Sequence, residues 1–314
     1  MNGTNLIRDF LAALIESHCS GRSICVHLRL IKMNSTMTPN QYCQDKAAAS
    51  GSSFYYSFLF LPKPRREAIT ALYAFCREVD DIADECTDIN LARVKLAWWR
   101  EEIANLYQGH PQHPVTLALQ PGIKDFGLVE EHFQEIIEGM EMDLDYNRYP
   151  DFKSLQLYCY KVASVVGLMS ASIFGYTDRK TLKYAHDLGM AFQLTNIVRD
   201  IGMDARKDRI YLPLDELSMH GVTEADLLQC RESENVRHLI EFQIKRAQDY
   251  YDRAYAELPE ADRRAQRAGL IMAAIYRSLL DEISHGNCEK VLSQRTSLTP
   301  LRKLWLAWKT WVLA

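Results

Sequence analysis

The sequence predicts an all-α protein, and three observations predict it. Apolar residues recur at helical spacing from about residue 40 onward. Glycine and proline number only 14 and 10 in 314 residues, which leaves few turn formers. No stretch alternates apolar and polar residues in the way a half-buried strand requires. Hydrophobic residues at 47% and charged residues at 25% supply one large core and exclude a disordered chain. No repeat, low-complexity tract or long linker divides it, so the expectation is a single large helical domain.

The elements follow in order. Residues 1–36 are basic, contain Cys19 and Cys25, and are weakly periodic. Met37 therefore reads as the true start, with an upstream extension before it. Helices are expected at 40–50, 54–61 and 64–85, with Pro64 in a first turn, where its missing N–H is no loss. Asp88 suits the N-cap of a helix at 89–107. Pro111, Pro114 and Pro121 mark 108–125 as a loop. Helices follow at 127–145 and, after Pro150 and Asp151, at 151–175 and 178–205. Pro213, Gly221 and Thr223 punctuate short helices at 213–219 and 223–230. Helices at 234–257, 260–285 and 298–312 complete the pattern. The expected organisation is an extension at 1–36, a domain at 37–297 and a Trp-rich tail at 298–314.

Lys and Arg number 37 against 41 Asp and Glu, a net charge of −4. That balance excludes nucleic acid as the main partner, because phosphate neutralisation needs a basic face. None of the eight cysteines forms a C-x-x-C pair or a zinc-finger spacing. Cys76, Cys159 and Cys230 sit in apolar helical stretches, where a free thiol acts as a small hydrophobe. The expected compartment is reducing and cytoplasmic. No run of ~18 apolar residues is seen that would span a bilayer. The apolar run from Phe10 to Ile15 is short and stops at Glu16, unlike a signal peptide.

Chemistry concentrates in two stretches. In ITALYAFCREVDDIADE, Asp80 and Asp84 are four apart, about 40° from one another on a helix. Tyr73 and Arg77 share their stripe, while Ala71, Phe75, Val79 and Ile82 lie opposite. In GMAFQLTNIVRDIGMDARKDRIYLP, Asp200 and Asp204 repeat the spacing, with Gln193 and Asn196 upstream on the same stripe. Arg206, Lys207 and Arg209 follow. A single D-x-x-x-D fits a solvated helix face or surface ion pairs. Two copies in apolar context predict four carboxylates facing each other across a cavity. Oxygen donors at that spacing suit Mg²⁺ shared with substrate phosphate, and the nearby cations suit a diphosphate leaving group.

At these residues the sequence resembles the squalene and phytoene synthase family, from about Gln41 to Ile283. SGSSFYYSFLFLP (Ser50 to Pro62) resembles the family's N-terminal S-F-Y-x-x-x-x-L-P segment. CREVDDIAD and QLTNIVRDIGMDARKDRIYLP resemble its two Asp motifs, and YCYKVASVVG (Tyr158 to Gly167) its central motif. The resemblance implies an isoprenoid-synthase-type bundle of antiparallel helices around an apolar central cavity. It implies Mg²⁺-dependent head-to-head condensation of two prenyl diphosphates. Asp80, Asp84, Asp200 and Asp204 then look like the Mg²⁺-diphosphate carboxylates, with Asn196 as an accessory ligand. Ser53, Arg77, Gln193, Arg209 and Tyr276 look like diphosphate contacts, although Ser53 equally suits an N-cap ahead of Phe54. Tyr158 looks like the aromatic near the reacting carbons. Val162 and Val165, on the Tyr158 stripe, would line the tail pocket.

The wording of the first two blocks is most similar to the bacterial hopanoid-pathway branch, which joins two farnesyl diphosphates into presqualene diphosphate. NADPH is not expected there, and downstream pathway enzymes are possible partners. A phytoene-type enzyme acting on geranylgeranyl diphosphate and a full NADPH-dependent squalene synthase are the enzymatic alternatives. A non-catalytic assembly factor of the same fold would be expected to lose the Asp motifs, and all four aspartates stand here.

Three of the five tryptophans fall in LRKLWLAWKTWVLA. Leu301, Leu304, Trp305, Trp308, Trp311 and Val312 share one helix face, with Arg302, Lys303 and Lys309 elsewhere. That pattern fits either a last helix packed on the core or an interfacial helix that touches a membrane surface from the cytoplasmic side. Among weaker signals, His110 and His113 read as exposed loop residues. The acids of EGMEMDLDY read as a solvated face or as an extension of the pocket's polar end.

Overall fold

A computed structural model describes residues 37–49, 57–58, 60–286 and 288–313. Residues 1–36, Ser53 and most of the helix expected at 54–61 lie outside the described residues. Thr38–Ala314 forms one unit.

The first half of that unit builds α1 (Pro39–Ala49), α2 (Lys63–Glu85), α3 (Ile89–Tyr107), α4 (Pro114–Phe126) and α5 (Glu130–Asp145). Pro64 sits in the first turn of α2, and the Asp88 carboxylate caps α3 by accepting from the Asn90 N–H at 2.9 Å. Helix α4 falls inside the stretch expected to be a loop. Pro114 opens it, Pro121 lies within it, and Gly127 in the left-handed region ends it. An internal proline costs about 3 kcal/mol. Burial of Val115, Ala118 and Leu119 offsets this, and tertiary packing overrides the local signal. His113 caps α4 through Nδ1 and packs edge-on against Trp99 and Tyr42, so it is partly buried rather than exposed.

Next comes α6 (Phe152–Phe174), which Asp151 caps at the Ser154 N–H and which carries a π turn at Tyr160–Ser164. It is long and apolar enough to cross a membrane, which corrects the expectation that no such stretch exists. In the fold half of that stretch is buried, and it contributes to both cores. The remaining elements are α7 (Lys180–Ala205), α8 (Leu214–Met219), α9 (Glu224–Leu228), α10 (Glu234–Glu257), α11 (Glu260–Arg263), α12 (Arg267–His285), α13 (Lys290–Ser293) and α14 (Pro300–Leu313). The helix expected at 260–285 thus breaks between α11 and α12. Among the described residues there is no strand, only a single bridge between Arg148 and Ile210.

Two apolar cores result. One gathers Phe75, Leu72, Leu96, Ile103 and Phe133 from α2, α3 and α5, and the other gathers Tyr184, Leu188, Tyr251 and Leu280 from α7, α10 and α12. Helix α6 serves both. Its approach to α7 needs glycine on each side: a Cβ at Gly167 would meet the Ala185 carbonyl oxygen at 2.5 Å, and one at Gly189 the Ala163 carbonyl oxygen at 2.7 Å. Cys43, Cys76, Cys86, Cys159, Cys230 and Cys288 are free. The tail helix α14 lies against α12, with Ala307 buried.

Candidate active site

Between the two cores lies a cavity of about 270 Å³, against roughly 10–15 Å³ for one water. Helices α2, α5, α6, α7 and α12 wall it. Its apolar stretch runs past Ile69, Leu72, Val166, Phe174 and Leu188, while Arg77, Asp80, Gln193 and Asn196 supply charged and amide groups. The amphipathic ligand this suits has a long apolar body and an anionic head.

The Asp motifs meet at the polar end. Arg77 pairs with Asp80 at 2.5 Å and with Asp81, both on its own helix. From the segment after α7, Arg209 and Lys207 reach across to Asp84 at 3.2 and 3.7 Å. Asp200 is clamped by its neighbour Arg199 and by Arg295, whose Nε lies 2.9 Å away. Asp204 has no ion pair among the described residues. Burial and the nearby Asp200 push its carboxyl up to about 7, against Lys207 and Arg209, with Asp84 adding to the rise. Burial pushes Asp80 up to about 6, against the pull of Arg77, with Asp84 again adding. These mutual effects mark a rim of carboxylates that repel one another.

Asn196 faces the cavity with its amide nitrogen 3.3 Å from the Gln193 oxygen, and its own buried Oδ1 has no hydrogen-bond partner. The orphaned amide oxygen and the carboxylates of the two Asp motifs are an all-oxygen donor set, which fits a hard cation. Among the described residues no three acidic, histidine or cysteine side chains converge on one point. The donors therefore suit an ion completed by ligand oxygens and water rather than a protein cage.

Tyr158 lines the cavity from α6. Its hydroxyl donates to Asp143 at 2.7 Å, and Tyr211 donates to the other oxygen of the same carboxylate at 2.7 Å. The Tyr158 and Tyr211 rings stack at 5.4 Å, and Tyr149 joins them at 5.6 and 5.8 Å. Burial, reinforced by Asp143, holds the Tyr158 hydroxyl well above the usual tyrosine range, so it stays a neutral donor. Burial pushes Asp143 up to about 6 despite both phenols and Arg209. Asp143 is thus drawn into the site, whereas Glu138, Glu141 and Asp145 pair with Lys161, Arg100 and Arg93.

The other expected site residues distribute as follows. Val162 lines the cavity but Val165 does not: it is fully buried in the α2–α5 core, and Val166 takes the cavity position. The π turn is the reason, because its extra residue rotates everything after it by about one helical step. Tyr276 is buried away from the cavity wall, bonded to Arg199 with its ring 5.0 Å from Phe192, so it stands behind the group that holds Asp200. Arg209 ties Asp84 to the Asp143 backbone carbonyl rather than facing the cavity. Ser53 lies outside the described residues.

Of the acids read either as a solvated face or as an extension of the pocket's polar end, Asp143 alone takes the second role through Tyr158 and Tyr211, while sequence reasoning missed Tyr211, Arg199, Arg295 and Lys303. Arg199 and Tyr211 stood inside quoted motifs, beside Asp200 and after Arg209. Arg295 and Lys303 carry no local signal. Burial and the charges of Arg199 and Arg295 lower Lys303, so the start of α14 adds a cation to the Asp200 neighbourhood.

The squalene/phytoene synthase family matches residues 47–302. A presqualene diphosphate synthase of Rhodopseudomonas palustris is 41% identical over 75% of this chain and 84% of its own. A phytoene synthase of Arthrospira platensis is 35% identical over 84% of this chain and 89% of its own. A dehydrosqualene synthase crystal structure, solved with a ligand, superposes with a TM-score of 0.74 at 28% identity, over 88% of this chain and 96% of that one. With the isoprenoid-synthase-type fold and the paired Asp motifs in place, the chain belongs to the squalene/phytoene synthase family of prenyl-transferring enzymes.

Proposed function

We propose that the protein condenses two farnesyl diphosphates head to head, releasing diphosphate and forming presqualene diphosphate for squalene and hopanoid synthesis. One observation carries this reading: an apolar cavity with charged groups between two Asp motifs, walled beside them by a buried tyrosine. The 41% identity to a presqualene diphosphate synthase supports the choice of substrate. In this reading the enzyme works in the cytoplasm, and NADPH has no part.

Asp80, Asp84, Asp200, Asp204 and Asn196 would hold Mg²⁺ together with diphosphate oxygens. When bound, Mg²⁺ neutralises charge that develops on the departing diphosphate. Arg77 lies on the cavity wall beside Asp80, where it binds the same head group. As the allylic C–O bond breaks, the electron pair leaves with diphosphate and a cation forms in the cavity. Apolar walls from Leu72, Val166 and Phe192 exclude water from it. The Tyr158 ring face attracts the positive charge, and Asp143 holds that ring in place.

The test is product analysis with Mg²⁺ and farnesyl diphosphate, with and without NADPH. Presqualene alcohol after phosphatase treatment, in both samples, is the expected result. Squalene only with NADPH would make this a full squalene synthase. Turnover of geranylgeranyl diphosphate alone would favour the phytoene reading, which the 35% identity to a phytoene synthase over a longer stretch supports.

A further inference from the structure

We propose that α14 docks the protein onto an anionic phospholipid bilayer. The helix has two faces. One is held against the fold: Trp311 stacks on Phe60 at 4.9 Å, Arg267 lies over Trp311 at 5.0 Å, and Arg302 pairs with Glu282 at 2.5 Å. That anchoring fixes what the other face presents. Leu301, Trp305, Trp308 and Val312 form a stripe, with exposures of 73%, 53%, 57% and 57%, and Leu313 extends it at 74%. Large apolar side chains left this open mark an interaction surface.

Charge selects the occupant. Helix α14 contains no acid, and while Arg302 and Lys303 turn toward the fold, Lys309 is left as its cation at the exposed stripe. Lys309 sits 5.0 Å over the Trp305 ring, which places a cation at the border of the apolar stripe. Tryptophan prefers the headgroup level of a bilayer, and basic residues beside it attract anionic lipid. A second copy of the chain would bring the two Lys309 side chains toward each other, whereas an anionic bilayer neutralises them. Phe60, under Trp311, stands two residues along the chain from Phe58, which lines the cavity. The docking itself is independent of which prenyl diphosphate reacts.

The test uses the full chain with vesicles of equal parts phosphatidylglycerol and phosphatidylcholine, and with phosphatidylcholine alone. The double variant W305S/W308S removes the exposed rings, and K309E reverses the border charge. Co-sedimentation of the unaltered protein with anionic vesicles is expected. It should weaken at least about tenfold in the double variant and severalfold in K309E. It should also fall on phosphatidylcholine alone, and in roughly 1 M salt, where the Debye length is ~3 Å. Melting curves check that both variants remain folded. Equal binding by the double variant and the parent would overturn the proposal, as would no binding of the parent to anionic vesicles. A parent dimer that W305S/W308S dissolves, without vesicle binding, would assign the stripe to self-association instead.

Discussion

The two Asp motifs share one spacing and live in different electrostatic surroundings. On α2, Asp80 is paired within its own helix and Asp84 is met by cations from the other motif. On α7, Asp200 is held by two arginines, one of them 95 residues away in sequence, while Asp204 stands without an ion pair among the described residues and is pushed up to about 7. Identical spacing therefore says where carboxylates stand on a helix, and neighbours decide which are compensated. An unpaired carboxylate among others is a place prepared for a cation, and a doubly clamped one is also part of the scaffold.

That contrast can be broken by substitution. The largest effect is expected at Asp84 and Asp204. Each change to Asn should lower kcat/KM by at least about 10²-fold, as removal of transition-state charge stabilisation does. D204N should hold or raise the Tm, because it relieves repulsion. D200N should lose both activity and Tm, since Arg199 and Arg295 lose their shared partner. Equal Tm changes in the two variants would remove the distinction. Metal dependence sharpens it further: EDTA should abolish turnover, and Mg²⁺ with inorganic pyrophosphate should raise the Tm of the parent but not of D84N.

The aromatic side of the cavity comes next. Tyr158→Phe keeps the ring and loses the bond to Asp143, so kcat should fall about tenfold with little change in KM, read by steady-state kinetics. Asp143 adds a pH test. Its folded carboxyl is raised to about 6 from the usual carboxylate range. The folded state therefore binds this proton more tightly than the unfolded chain. Its contribution to stability is full below about pH 4, and is lost as pH rises through about 6. Asp143→Asn should flatten this part of the Tm–pH curve, and a variant with the parental slope would exclude the assignment.

The smallest effect separates neighbours on α6. Val166→Phe fills the cavity and should raise KM or abolish turnover with a near-parental Tm. Val165→Ala opens a hole in the other core and should cost roughly 2 kcal/mol by denaturant unfolding, leaving KM unchanged. The opposite pattern would place the register where an unbroken helix puts it.

Much of the molecule was legible before any coordinates. The helical period located most elements, and the Asp stripes with Arg77, Gln193 and Asn196 marked the polar end of the cavity. Three features were not. Helix α4 was hidden by prolines whose local penalty burial outweighs. The inward turn of Asp143 was hidden among acids that mostly face solvent. The exchange of Val165 for Val166 was hidden because no residue type announces a π turn.

The sequence by itself determined most of the helices and the four-residue spacing of the aspartates, because helix geometry repeats about every 3.6 residues and can be read along the chain, and its motifs carried the resemblance to the family. Only the tertiary structure decided which carboxylates are compensated, which tyrosines share Asp143, and which valine meets the cavity. Those outcomes depend on groups brought together from distant parts of the chain: Asp84 with Arg209, Asp200 with Arg295, Asp143 with Tyr211. Burial strengthens their interactions in a way that no local pattern encodes.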